Sequence, residues 1–214
     1  HKVAGHFAEQ GQDLARVTKA AEQVVAATKS IGMSLDTCTV PGSVKENRIA
    51  AGKAELGLGI HGEPGVEQID FVSAEQAMTA VTQKLAGMTD AQSHVVLLNN
   101  LGAASVLEMS VLCYELLRSP LGKNCKYIIG PAAMMTSLDM RGFSVSVLPL
   151  TLDIEDALCT DTPLAAWPGC VAITPFTPIA LPDGLTPIKP VPSSHAATGD
   201  FLIKCCNVII GFET

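Results

Sequence analysis

Gly57, Gly59, His61 and Gly62 crowd the stretch ELGLGIHGEPG, residues 55–65. A neutral imidazole carries a nitrogen lone pair. It can attack an electrophilic carbon or move a proton. Glycines strip side chains from around it, although each one weakens a strand. Residues 55–60 read as a strand, and side chains on a strand alternate between faces. Leu56, Leu58 and Ile60 then point into a core, while Glu55, Gly57, Gly59 and His61 share the other face. Two positions beside the imidazole are bare, leaving room for a small ligand or another backbone. Glu63-Pro64-Gly65-Val66 has the Pro-Gly centre of a type II turn, which holds the end of this strand.

Three readings of the stretch stand side by side. One is a tight strand-to-turn joint with a hydrogen-bonded histidine. A second is a dinucleotide fingerprint, because Gly57-x-Gly59-x-x-Gly62 matches G-x-G-x-x-G. That motif needs a helix opening at its last glycine, and Pro64-Gly65 turns the chain instead. No Gly-Lys-Ser/Thr follows, so a P-loop is excluded as well. The third is a reactive imidazole in a pocket for a small polar molecule.

Other residues with chemical potential read as structural. Asn99-Asn100-Leu101-Gly102 ends an apolar run, where α/β sheets place ligand loops, but backbone capping around a turn accounts for it. His94 and His195 have no visible partner in the sequence. Asp153, Glu155 and Asp156 suit a helix N-terminus rather than a metal site. Cys205-Cys206 suits core packing.

The elements that must position His61 follow from periodicity. Leu14, Val17, Ala21, Val24, Ala27 and Ile31 predict a helix over 13–31, capped by Asp13 and closed at Gly32. Residues 33–40 read as extended and 43–53 as loop. Ser73-x-x-Gln76 and Ser105-x-x-Glu108 are capping boxes that open two further helices. HVVLLNN (94–100) and CKYIIG (125–130) are strands. Pro131 in a first turn and Gly142 beyond the end predict a helix over 131–142. FSVSVLPL (143–150) alternates small polar with apolar residues, so one of its faces is expected to be less buried. A short acidic helix starts near Asp153. Alternating strand and helix argue for an α/β fold, a sheet with helices packed on it in two or three layers.

Composition bounds the class. The 214 residues are 48% apolar and 16% charged, enough for a buried core, and only 4% aromatic, so that core is aliphatic. The net charge of −7 and the absence of a basic cluster argue against nucleic acid and anionic membranes as partners. Seven cysteines with no C-x-x-C pair fit reduced thiols in the cytoplasm. No apolar run approaches a membrane span, and no secretory signal is visible. A start at His1 rather than Met suits a piece of a longer protein. Residues 168–192 hold seven of the thirteen prolines, so 168–199 reads as a proline-rich linker. DFLIKCCNVII (200–210) reads as a helix too apolar to stand alone, the start of an incomplete second domain.

The chain resembles the dihydroxyacetone (glycerone) kinase family. HKVAG (1–5), AATKSIGMSLDTCTVPG (26–42), ELGLGIHGEPG, LLNNLGAASVLEM (97–109), TSLDMRGFSVSVL (136–148) and TPLAAWPG (162–169) occur in that family's order and spacing. The resemblance covers residues 1–167, which match the C-terminal part of the dihydroxyacetone-binding kinase domain. The linker and FLIKCCNVIIGFET (201–214) resemble the approach to the family's ATP-binding domain.

The resemblance implies a mixed sheet packed with helices, truncated at both ends. It also implies a function for His61: its imidazole adds to the ketone of dihydroxyacetone and holds it as a hemiaminal, with Gly57, Gly59 and Gly62 leaving room for the sugar. Glycerol has no carbonyl to trap. ATP and Mg2+ are implied for the full-length enzyme, bound in a domain beyond residue 214, and further acid–base residues in a lobe before residue 1. A homodimer is implied too. The fragment alone is expected to be inactive. Two alternatives stay open: a non-catalytic dihydroxyacetone-binding or regulatory fragment, and a bifunctional triokinase/FMN cyclase-type enzyme acting also on glyceraldehyde.

Overall fold

A computed structural model describes residues 1–57, 67–87 and 93–174. In chain order these form α1 (Lys2–Glu9), α2 (Leu14–Ala27), β1 (Lys29–Ser34), β2 (Lys53–Leu56), β3 (Glu67–Asp70) and α3 (Ala74–Ala86). Then come β4 (His94–Asn100), α4 (Val106–Arg118), α5 (Pro120–Lys123), β5 (Cys125–Ala132), β6 (Gly142–Pro149), α6 (Leu152–Cys159) and β7 (Cys170–Ala172). The strands make one sheet in the order β3-β2-β1-β6-β4-β5-β7. β4 and β5 run parallel, and every other neighbouring pair is antiparallel. The architecture is the mixed α/β sheet with helices that the sequence leads one to expect.

Strand alternation sorts the core into two layers. Ile31, Met33, Leu56, Val96, Leu98, Val145 and Val147 face Met78, Val81 and Leu85 of α3 and Leu112 and Leu116 of α4. On the other side Val95, Ile129 and Leu148 meet Val3 and Phe7 of α1, Ala20 of α2, and Ala157 and Leu158 of α6. The sheet is thus the middle of three layers. Both cores are dominated by aliphatic side chains, as the composition requires. Among the described residues no helix is long and apolar enough to cross a membrane.

Local signals set the helix starts. Asp13 accepts from the Arg16 amide at 2.8 Å. Ser73 accepts from the Gln76 amide at 3.2 Å. At Ser105 both halves of the box are made: the hydroxyl accepts from the Glu108 amide, and the Glu108 carboxylate accepts from the Ser105 amide at 2.8 Å. The alternation in FSVSVLPL holds, with Val145 and Val147 fully buried and Ser144 and Ser146 half-buried.

Two expectations are corrected. The first helix stops at Ala27, not Ile31, because Lys29–Ser34 pair along six residues of β6. A strand neighbour satisfies those backbone groups as fully as a helix would and places Ile31 and Met33 in the core. No helix forms over 131–142. Strand β5 runs on to Ala132, and the following turn is hydrogen-bonded to Asn99 rather than to itself. Of the strand expected over 55–60, Glu55 and Leu56 lie in β2, Lys53–Leu56, Gly57 has φ +82°, and 58–60 lie outside the described residues. Cys170–Ala172, read with the proline-rich segment, pair antiparallel with β5. Helix α1 and strand β3 carry no sequence expectation. The helix expected at 200–210 lies outside the described residues.

Candidate functional site

Among the described residues, one face of the sheet is only partly covered. Helices α1, α2 and α6 pack over Val95, Ile129 and Leu148. Beyond them run two cross-strand rows of mostly small residues, one partly exposed and the other largely buried. Ser30 pairs with Ser146, which pairs with Leu97, and Gly32 pairs with Ser144, which pairs with Asn99. These six residues floor a cleft of about 630 Å³. Its walls include the turn at Met134–Ser137, Met140 and His1, and Gly57 stands at its rim. The small side chains have a physical consequence: over Ser30, Gly32, Ser144 and Ser146 the floor lies close to the sheet backbone.

Gly57 is the one residue of the sequence-predicted site that falls within the described residues; Gly59, His61 and Gly62 lie outside them. Its positive φ is a conformation that costs any L-residue with a Cβ. Its amide donates to the Gly32 carbonyl at 2.8 Å, joining the end of β2 to the cleft floor. Parity holds through Leu56, which is core, and Glu55, which takes the opposite face. Beyond Gly57 the expected alternation falls on residues outside the described ones. The turn expected at 63–66 is likewise outside the described residues.

Asn99 is the organiser of the wall. It is 3% exposed. Its Oδ1 accepts from the Met134 and Met135 amides, both at 2.9 Å, and its Nδ2 donates to the Met135 carbonyl at 2.8 Å and to Ser144 Oγ at 3.2 Å. Every hydrogen-bonding direction of the amide is used within the protein. Asn100 caps the next turn, donating to the Ala104 carbonyl at 2.6 Å and accepting from the Gly102 amide at 2.9 Å. The capping reading of this motif is what the geometry contains, and the capped turns form the cleft. The residues missed in the sequence are Ser30, Gly32, Ser144 and Ser146. Their signal was the small-polar alternation of 143–147.

The remaining candidates have structural partners. His94 is buried, with Nε2 at 3.0 Å from the Leu121 carbonyl. Asp153 pairs with Arg16 at 2.7 Å, Glu155 with Lys126 at 2.6 Å, and Asp156 lies 3.3 Å from the His6 ring. Each carboxylate serves a different partner. The bond to Glu155 pushes the Tyr127 hydroxyl up to about 12. Among the described residues no group of three or more His, Cys, Asp or Glu is arranged to hold a metal ion. His195 and Cys205-Cys206 lie outside the described residues.

A second groove, of about 600 Å³, lies on the opposite side of the sheet between the starts of α3 and α4. Leu35, Ile49, Phe71, Val111 and Phe143 line it, with Glu108 and Arg141 at its edge. Burial opposes ionisation of Glu108, but the Ser105 amide and the Arg141 guanidinium outweigh it and hold the carboxyl below its ordinary value. Asp36 and Lys53, also in its lining, pair with Lys45 and Asp70, so among the described residues the charged groups of this groove are paired within the protein.

Comparison with known proteins locates the chain. The Dak1 domain family model matches residues 1–166. The chain is 38% identical over its full length to dihydroxyacetone kinase of Citrobacter freundii and 31% identical to human triokinase/FMN cyclase. It spans 39% and 40% of those relatives. The crystal structure of the C. freundii kinase in complex with AMP-PNP and Mg2+ superposes with a TM-score of 0.81 at 37% identity, covering 94% of this chain and 38% of that one. A dihydroxyacetone kinase operon co-activator superposes with a TM-score of 0.69 at 25% identity, over 79% of this chain and 54% of its own. A family match over three quarters of the sequence, a relative aligned along the whole of this chain and a shared sheet agree: the chain belongs to the Dak1 domain family.

Proposed function

We propose that this chain is the substrate-anchoring part of a cytoplasmic, homodimeric kinase that phosphorylates dihydroxyacetone from ATP. The observation that carries the reading is the place of Gly57. The first glycine of the histidine motif turns off β2 at the rim of a cleft floored by Ser30, Gly32, Ser144 and Ser146. A three-carbon sugar fits such a cleft, and His61 follows Gly57 by four residues.

In the proposed step, a nitrogen lone pair of neutral His61 forms a bond to C2 of dihydroxyacetone. The carbonyl π pair moves to oxygen, which takes a proton, while the other ring nitrogen releases one. The product is a neutral hemiaminal with both terminal hydroxyls free, one of which takes phosphate from ATP. Positioning and charge neutralisation at the phosphates, on which phosphoryl transfer depends, fall to groups elsewhere in a longer protein.

The test is a crystal of the whole protein soaked in dihydroxyacetone. Continuous density is expected between C2 and a His61 ring nitrogen. His61→Ala should abolish it, keep the fold and lose discrimination against glycerol. Density joining the sugar to another residue, or a His61→Ala variant that still discriminates, overturns the assignment. A regulatory reading is favoured by one observation, the shared fold with an operon co-activator. A whole protein that forms the adduct but has no turnover with Mg-ATP would support it.

A further inference from the structure

The connection from 57 to 66 has two stems. Leu56 and Glu67 face each other across the β2–β3 pair, and one step further in Glu55 faces Gln68. Glu55 carries an ionisable group, yet it is 3% exposed. It lies opposite Ser34 of β1, on the face of the sheet that bears the cleft. A buried carboxylate is costly without strong partners. Arg48, from the loop before β2, supplies a fork: Nε donates to Oε1 at 3.2 Å and Nη2 to Oε2 at 2.9 Å. Gln68 Nε2 adds a bond to Oε1 at 3.4 Å and reaches the Arg48 carbonyl at the same distance.

We infer that Glu55 is a positioning residue: clamped by Arg48 and Gln68, it fixes the ends of β2 and β3 that bracket the glycine–histidine segment in the sequence. The inference rests on the proposed role of His61. Three independent segments meet at this carboxylate: the 43–52 loop, β2 and β3. A two-point guanidinium–carboxylate contact sets orientation as well as distance, which a lone ammonium does not. The clamp lies two residues before Gly57 and one residue after Glu67. Small displacements of its stems therefore transmit directly to the segment between them. An imidazole that must approach a carbonyl carbon along one trajectory is sensitive to such displacements.

The test compares Glu55→Gln and Arg48→Lys in the whole protein with wild type. Glu55→Gln keeps the size and one acceptor but removes the charge. Arg48→Lys keeps the charge but removes the fork. Amide exchange across 57–66 should accelerate by about tenfold or more in Glu55→Gln relative to amides 95–98 of β4, with a smaller gain in Arg48→Lys. KM for dihydroxyacetone should rise by about tenfold, adduct occupancy at His61 should fall at fixed sugar, and the melting temperature should move by only a few degrees. Unchanged exchange and unchanged KM in both variants would overturn the inference. So would an activity loss that merely follows global unfolding. Faster exchange at 57–66 in the variants, with no His61 adduct even in wild type, would uphold the clamp and overturn the hemiaminal reading.

Discussion

The amide of Gly57 donates to the carbonyl of Gly32 at 2.8 Å, and both residues line the same cleft. One bond therefore joins the root of the histidine connection to the surface on which a substrate would rest. Gly32 sits in the row with Ser144 and Asn99, so this contact extends the sheet's own register outward to the rim.

Gly57→Val should damage both stability and function. A β-branched residue at φ +82° costs about 1–2 kcal/mol or more, and its side chain projects at the rim of the cleft. The urea midpoint should fall and KM for dihydroxyacetone should rise. A variant with wild-type values for both would mean that the turn at this position is not required.

Asn99→Ala leaves the Met134 and Met135 amides without their acceptor. Met134 and Met135 are exposed residues whose amides water can partly satisfy, so a loss of about 1–2 kcal/mol in the urea-derived stability is expected. The loss should be local first. Exchange protection at 133–140 should disappear before that of β4, and a uniform loss across the sheet would contradict the role given to Asn99.

Glu108 gives the fold an acid-sensitive point. Its folded-state carboxyl is held below the ordinary carboxylate value, chiefly against burial, by the Ser105 amide and Arg141. A group with a depressed folded pKa contributes its stability above the unfolded pKa and loses it as pH falls through the folded value. Wild type should therefore lose more stability than Glu108→Gln on acidification from pH 7 through the carboxylate range. At neutral pH the same variant should be less stable by about 1 kcal/mol, from the weakened cap and lost charge pair. Parallel urea midpoints for the two proteins across that range would remove Glu108 as a source.

Sugar trapping should have the opposite acid limit to a protonated catalyst. Addition needs the neutral ring, so adduct formation should weaken as pH falls through the reference histidine value of about 6.5. Adduct occupancy measured against pH reads this directly. Trapping that strengthens on acidification would exclude an imidazole lone pair as the nucleophile.

What was legible in the sequence was what short-range chemistry decides. Asp13, Ser73 and Ser105 mark helix starts because a capping side chain reaches an amide only three residues away. The strands at 94–100 and 142–149 were visible because their side chains alternate or bury as a run. The motif around His61 and the family resemblance were legible for the same reason, being written in adjacent residues. Tertiary structure alone decided the rest. Residues 29–31 continue a helical period, yet β6, more than a hundred residues away, offers them a full ladder of partners. Residues 131–142 carry helix-like punctuation, yet Asn99 takes the amides a helix would have used. The cleft floor is likewise nonlocal: Ser30, Gly32, Leu97, Asn99, Ser144 and Ser146 come from three strands and become one surface only through the β1–β6–β4 register. A one-residue slip in that register would turn the small side chains away and close the site with aliphatic ones, which no local pattern forbids.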